Sequence, residues 1–177
     1  LISTTFTNAK VFGWNNDAIC VVDNGLSCYR WESGEFIRIS ETITSIPFRI
    51  GENYAFYSTE TISCLINLQT LEITELSNAN GYATATSNTW NVQSGFVFKT
   101  SDSIVALNAE TKEETVLCSA TGITVMKAQD GLFLVGSNTS SLPGLHFMNG
   151  ATFEVSQLGN MLNINKCIDL GNGYLLT

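Results

Sequence analysis

Short apolar runs recur along the chain, each directly after one or more turn-forming residues. The runs begin at positions 18, 54, 95, 131 and 173, so successive runs lie roughly 40 residues apart. Gly131–Val135, which reads Gly-Leu-Phe-Leu-Val, is typical of them. A short apolar run between turn residues predicts a β-strand. The regular spacing therefore predicts an internal structural repeat.

Further strands are predicted on both sides of each run. One strand precedes the run, one follows it across a polar turn such as Asp23-Asn24-Gly25, and one follows a second turn. The Asn-Gly pair supplies the positive φ angles that hairpin turns need. In the last strand of a repeat, apolar and polar residues tend to alternate, which is typical of a half-exposed strand. We expect these last strands at Phe36–Ile39, Leu71–Leu76, Glu114–Leu117 and Thr152–Val155.

The repeated order of strands predicts an all-β fold. The nearest approach to a helical period, Ser156–Leu162, is too short to form a helix and contains a glycine. Four short strands repeated about every 40 residues are typical of a propeller blade. We therefore expect a β-propeller made of four-stranded antiparallel blades, with about four full blades and a partial fifth, in a single domain over residues 1–177.

The ends of the propeller allow two arrangements. Leu1–Thr7 could pair with the C-terminal strands and close a five-bladed ring. Alternatively, the chain is a segment of a larger propeller that other sequence or another chain completes. Either arrangement would cover an edge strand that would otherwise expose unpaired backbone groups.

Several repeats resemble a known class of blade. Ile104–Glu113 resembles the phrase of a strand, an aspartate or asparagine, a turn and Thr-Gly that marks PQQ-like propeller repeats, and Leu65–Glu72 and Tyr29–Glu35 are looser copies. The blades are also similar in length to those of WD-repeat proteins, although the chain lacks the Gly-His and Trp-Asp pairs of that family. The resemblance implies membership of the β-propeller repeat superfamily. It implies the fold alone, with no cofactor and no catalytic residues.

Charge excludes some partners. The net charge is −8 and charged residues make up 14% of the chain. Nucleic acid is an unfavourable partner, because phosphate binding needs clustered lysine and arginine. No apolar run approaches the roughly 18 residues of a membrane span. The start of the chain has no signal-peptide pattern, which favours an intracellular location, as do the cysteines.

The five cysteines have no Cys-x-x-Cys spacing, which argues against a zinc knuckle. We expect them to be small buried side chains with free thiols. A hairpin turn at 23–26 would place Cys28 opposite Val21 and close to Cys20. Adjacent positions point to opposite faces of a sheet, which disfavours a disulfide between these cysteines. His146 is the only histidine, so we expect no multi-histidine metal site and interpret it as a structural strand residue.

Candidate contact residues follow from the repeat. The strand before each run would line a central channel. Counting back four residues from each start gives Trp14, Asn91, Lys127 and Asp169, and counting back five gives Arg49 and Trp90. The long polar loop over residues 77–88 contains Tyr82, a residue type enriched at interfaces, as a candidate anchor.

Two classes of function remain open. The first is a non-catalytic protein-interaction scaffold that forms part of a larger protein or assembly, with protein partners and no cofactor or metal. The alternative is a propeller that binds or processes glycans, with a carbohydrate partner and carboxylates at the channel mouth. Asp17, Asp130 and Asp169 are the candidates for such carboxylates. An enzyme is the less favoured interpretation, because acidic residues in tight turns more often bind the local backbone.

Overall fold

A computed structural model describes residues 10–12, 18–30, 32–77, 82, 88–160, 168–171 and 174–176 of the chain. No α-helix is present within these ranges, and the regular elements are β-strands. The all-β prediction is therefore confirmed.

The strands form four-stranded antiparallel sheets, each connected in chain order. The first sheet contains β1 (Lys10–Phe12), β2 (Ala18–Val22), β3 (Leu26–Arg30) and β4 (Glu35–Ser40). The second contains β5 (Phe48–Ile50), β6 (Tyr54–Ser58), β7 (Ser63–Asn67) and β8 (Ile73–Glu75). The third contains β9 (Thr89–Val92), β10 (Gly95–Lys99), β11 (Ser103–Asn108) and β12 (Glu114–Ser119). The fourth contains β13 (Ile123–Lys127), β14 (Gly131–Gly136), β15 (Gly144–Asn149) and β16 (Val155–Gly159), and β17 (Ile168–Gly171) pairs with β18 (Tyr174–Leu176).

The second strand of a sheet is buried along most of its length. All six residues of β14 are buried, as are four of the five residues of β10. Since successive side chains of a strand point to opposite faces, burial of consecutive residues means that both faces of the sheet are covered. The fourth strands, by contrast, are mostly exposed or half-buried. The continuous apolar runs in the sequence correspond to these doubly covered second strands.

The third and fourth sheets share one apolar core. Val97 and Ala106 of the third sheet pack in one cluster with Leu132, Leu134 and Met148 of the fourth. The opposite face of the fourth sheet is also buried, through a separate cluster that includes Phe133, Val135, Leu145 and Ala128. The fourth sheet is therefore the centre of two apolar layers, which explains why β14 is apolar on both sides.

Contacts between residues divide the chain into two compact units. One unit comprises Leu1–Tyr57 and Cys64–Ile73, and the other comprises Ser58–Ser63 and Thr74–Thr177. The division runs through the second sheet. The third and fourth sheets lie wholly in the second unit.

The turn between the third and fourth strands has the same hydrogen bonds in three of the sheets. It begins at Asn67, Asn108 and Asn149, and each asparagine Oδ1 accepts the backbone N–H groups two and three residues later. A threonine three residues after the asparagine accepts a backbone N–H at its Oγ1, donated by a glutamate. Such side-chain caps hold the backbone of a turn in place of ladder hydrogen bonds.

The residue before that glutamate has a left-handed backbone conformation. Leu71, Lys112 and Phe153 have φ angles of 66°, 63° and 61°, and Gly34 has 69° at the corresponding place in the first sheet. Each of these four residues donates its N–H to the carbonyl of the residue that begins the turn, four positions earlier. The same turn geometry therefore occurs at matching places in four sheets.

These turns correct two of the predicted last strands. Leu71 was expected inside a strand, but it is a turn residue and β8 begins at Ile73. The strand expected at Thr152–Val155 begins only at Val155, because Phe153 has a positive φ angle. Both errors have one cause. A large apolar residue at the left-handed position of the turn resembles the first residue of an alternating strand.

The β2–β3 hairpin corrects a predicted pairing. Val22 pairs with Leu26 across a three-residue loop, so Cys20 pairs with Cys28, and Val21 pairs with Ser27. The expected pairing of Cys28 with Val21 was wrong, because it required a loop with an even number of residues. The predicted burial is confirmed for Cys20, Cys28, Cys64 and Cys118, none of which forms a disulfide bond within the described residues; Cys167 lies outside them.

Replacement of the capping asparagine should weaken the repeat. We expect Asn108→Ala to lower the free energy of unfolding by about 1–2 kcal/mol, because two backbone N–H groups lose their acceptor. Urea unfolding followed by circular dichroism measures the change. Asn138→Ala, at an exposed loop position, is the matched control, and an equal effect of both substitutions would contradict the capping role.

Candidate functional site

The strand pairings place three of the predicted channel residues at one equivalent position. Arg49, Asn91 and Lys127 lie on the first strands of the second, third and fourth sheets. They pair with Ala55, Phe96 and Leu132, which are the second residues of the following strands. All three side chains are exposed. This position therefore carries a polar or charged side chain in each of these sheets.

Counting a fixed number of residues back from each run assigned Arg49 to a position one residue away from its true equivalent. The β5–β6 turn contains three residues, whereas the β9–β10 turn contains two. A fixed offset therefore grouped Arg49 with Trp90, while the pairings group it with Asn91. Turn length, which varies between repeats, limits what spacing alone predicts.

The predicted contact residues differ in their environments. The guanidinium of Arg49 donates to the carbonyl oxygens of Gly51 and Glu52 at 3.2 and 3.1 Å, so it caps its own turn. Trp90 is half-buried and packs against the core between the third and fourth sheets. Asp169 lies on β17 and pairs with Leu175. Trp14 lies outside the described residues.

Tyr82, the candidate anchor, is buried. Only 1% of its surface is accessible, and its ring meets that of Phe98 edge to face, with 5.2 Å between the ring centroids. The hydroxyl of Tyr82 donates to Glu114 Oε2 at 2.8 Å, and the backbone N–H of Ser77 donates to Glu114 Oε1 at 2.8 Å. Tyr82 and Ser77 are thus both hydrogen-bonded to Glu114 of the third sheet.

A groove lies between two of the repeated turns, and we call it the hairpin groove. Its volume is about 370 Å³, within the range of small-ligand sites. It is lined by Asn108, Glu113, Thr115, Ala151, Thr152, Phe153 and Glu154. The two carboxylates occupy the same position in successive turns. The hairpin groove is therefore polar and acidic along its rim, with one aromatic side chain in its wall.

The sequence contained a signal for the hairpin groove that spacing of the apolar runs did not reveal. The phrase Asn-x-x-Thr-x-Glu occurs at Asn67–Glu72, Asn108–Glu113 and Asn149–Glu154. The carboxylates expected at a channel mouth are a different set. Of that set, Asp130 contributes its backbone carbonyl to a hydrogen bond from Gly150 N, and Asp17 lies outside the described residues. Their role in glycan chemistry stays a prediction.

A second surface is formed by the loop between β14 and β15. The backbone of Ser137 donates to the carbonyl of Gly122, and that of Ser140 donates to the carbonyl of Ser137. The Ser141 hydroxyl accepts the N–H of Ser119 at 3.1 Å. These bonds fix the loop to the β12–β13 turn, while Asn138 and Thr139 at its tip remain exposed.

The described residues contain no group of three or more His, Cys, Asp or Glu residues placed to hold a metal ion. Within the same ranges, no helix has the length and apolar character needed to span a membrane. His146 lies on β15 as predicted, with its Nδ1 buried and without a hydrogen-bond partner among the described residues.

Comparison with known proteins finds distant structural similarity. No family model and no curated protein matches the chain. One similar structure is PorZ, a bacterial surface component of the type-IX secretion system of Porphyromonas gingivalis, with 14% identity, a TM-score of 0.42 and coverage of 83% of this chain and 20% of that one. Another is the extracellular domain of a putative one-component system from B. thetaiotaomicron, with 12% identity, a TM-score of 0.45 and coverage of 93% and 24%. The chain spans a fifth to a quarter of the length of these proteins.

The contact between Tyr82 and Glu114 is open to a direct test. We expect Tyr82→Phe to lower the free energy of unfolding by about 2 kcal/mol, because a partly buried hydrogen bond to a carboxylate is lost while the ring remains. A double-mutant cycle with Glu114→Gln, measured by urea unfolding, isolates the pair. Additive effects of the two substitutions would show that the pair does not couple.

Proposed function

We propose that the chain is part of a β-propeller of PQQ-like or WD-like blades and that it acts as a non-catalytic protein-interaction scaffold within a larger protein or assembly. The burial of second strands on both faces carries the propeller proposal. In a two-layer sandwich, a sheet buries one face and its strands alternate between apolar and polar residues. In a propeller, radially repeated sheets cover one another on both faces.

The repeated turn supports the same architecture. In each copy, side chains of the turn itself accept its backbone N–H groups. The residue directly after the asparagine that begins the turn also donates a hydrogen bond to the turn between the first two strands. Leu68, Ala109 and Gly150 donate their N–H groups to the carbonyls of Asn53, Ser94 and Asp130 in this way. The same local hydrogen bonds in successive sheets are expected of blades that differ mainly in their loops.

The scaffold proposal rests on the surfaces that this framework presents. The β14–β15 loop is fixed by backbone hydrogen bonds and exposes the short polar side chains of Asn138 and Thr139. A loop that is ordered before binding loses little conformational entropy when a partner docks. Meanwhile Tyr82, Glu114 and Arg49 are engaged in holding loops and turns together. We infer that the loops, rather than a catalytic cluster, make the contacts with partners.

A second candidate function is glycan binding in the hairpin groove. Its support is the combination of Glu113, Glu154 and the aromatic ring of Phe153 in one groove. Carboxylates and hydroxyls can bind sugar hydroxyl groups, and an aromatic ring can pack against the apolar face of a sugar.

Photocrosslinking in the full-length protein, in its own cells, separates the two candidates. A benzophenone side chain at Asn138 should form a discrete adduct with one protein, because this position is exposed on the ordered loop. The same group at Thr115, in the hairpin groove, is the matched control and should not form that adduct.

Two outcomes would contradict the scaffold proposal. One is the absence of a protein adduct at Asn138. The other is oligosaccharide binding that shifts the amide resonances of Thr115 and Phe153 and is lost in the Glu113→Gln, Glu154→Gln double variant, while the loop remains unaffected. The second outcome would support the glycan-binding candidate.

A further inference from the structure

Cys20 and Cys28 form a pair of thiols on neighbouring strands. They are directly opposite in the β2–β3 ladder, and their exposed fractions are 2% and 0%. Residues directly opposite in an antiparallel ladder point to the same face of the sheet. Their Cα atoms lie about 4.5 or 5.5 Å apart, depending on the type of pair, and disulfides span about 4.4 to 6.8 Å between Cα atoms. The backbone therefore satisfies the main geometric requirement for a bond between them.

The hairpin loop is held so that this pairing is maintained. Asn24 and Gly25 have φ angles of 51° and 135°. The guanidinium of Arg38 donates to the carbonyls of Asp23 and Asn24 and, at 3.4 Å, to the hydroxyl of Ser27. These contacts link both ends of the loop to β4. A slip in register, which would separate the two cysteines, would break them.

We propose that Cys20 and Cys28 are a covalent site, at which a low-molecular-weight disulfide oxidises the two thiols to an intrachain disulfide. The Cys28 thiolate attacks one sulfur of the small disulfide and releases one small thiolate. Cys20 then loses its proton and attacks Cys28 Sγ in the mixed disulfide, which releases the second. Two protein thiols lose two electrons and two protons, and one small disulfide is reduced to two thiols.

The order of the steps follows from the surroundings of the two sulfur atoms. A hydrogen bond from the Cys20 thiol, aided by the positive charge of Arg30, lowers the pKa of Cys28. The same hydrogen bond, together with burial, raises the pKa of Cys20. Cys28 is therefore the first thiolate to form and the attacking nucleophile. Cys28 also pairs with Ile37 of β4, which is 41% exposed, whereas both thiols are buried, so the small disulfide reaches them when the sheet opens locally on that side.

The repeat supplies a control variant. Val97 and Ala106 form the corresponding cross-strand pair in the third sheet. Ala106 lies two positions before Asn108, which begins the repeated turn, as Cys28 lies two positions before Arg30. The same scaffold position thus accepts valine and alanine in its core. Cys20→Val with Cys28→Ala removes both thiols and keeps side chains that the fold already uses there.

The experiment treats the folded protein with oxidised glutathione under native conditions and counts thiols by intact mass. Two of the five cysteines should lose their thiol hydrogens, without dimer formation. Trypsin combined with a protease that cuts before aspartate separates residues 17–22 from 23–30. We expect these fragments to be linked by one reducible bond. The Val/Ala double variant should show no such loss, and Cys64→Ala should leave it unchanged.

Single variants test the assigned order. Cys20→Val should accumulate a glutathione adduct on Cys28, and Cys28→Ala should accumulate less on Cys20. The proposal is overturned if the folded wild-type protein retains all its thiols, or if the bond formed joins any other pair. The peptide map of the wild-type protein decides this even where a variant folds poorly.

Discussion

The turn between the third and fourth strands is the constraint on which the rest of the fold depends. Its asparagine satisfies two backbone N–H groups, and its left-handed residue directs the chain back along the third strand. Because the same turn recurs at Asn67, Asn108 and Asn149, each copy sets the register of a fourth strand in the same way. The backbone N–H of the residue after this asparagine donates to a carbonyl in the turn between the first two strands. Both turns at this end of a sheet are therefore held together.

Burial follows from this local order. A four-stranded sheet with apolar side chains on both faces needs cover on both, and β14 has it through two separate clusters. The second strand can then be continuously apolar, while the fourth strand remains exposed and polar. Two charged residues also support this framework: Arg49 caps its own turn, and Glu114 accepts hydrogen bonds from Tyr82 and from the backbone of Ser77. A framework of this kind leaves ordered loops as the surfaces that can differ in specificity.

The sequence predicts the apolar second strands well, because a strand that is buried on both faces gives a short continuous apolar run after a turn. It predicts the turns less well. Leu71 and Phe153 are apolar residues in a left-handed conformation, and propensity alone assigns them to strands. Cys20 pairs with Cys28 because the β2–β3 loop contains an odd number of residues. The position of Arg49 depends on the length of the β5–β6 turn. The hairpin groove depends on the packing of two sheets, although the repeated Asn-x-x-Thr-x-Glu phrase marks its rim. The residue type of Tyr82 did not predict its burial, because tyrosine occurs both at interfaces and in buried cores.

The burial of β14 on both faces is the central claim, and methyl NMR with a soluble paramagnetic agent tests it most directly. Leu132 and Leu134 face one apolar cluster, and Val135 faces the other. Burial on both faces predicts that the methyl resonances of all three residues are protected from broadening, while the exposed Val116 and Leu158 are broadened. Protection of Leu132 and Leu134 together with strong broadening of Val135 would show that the sheet is covered on one face, as in a sandwich, and would contradict the account.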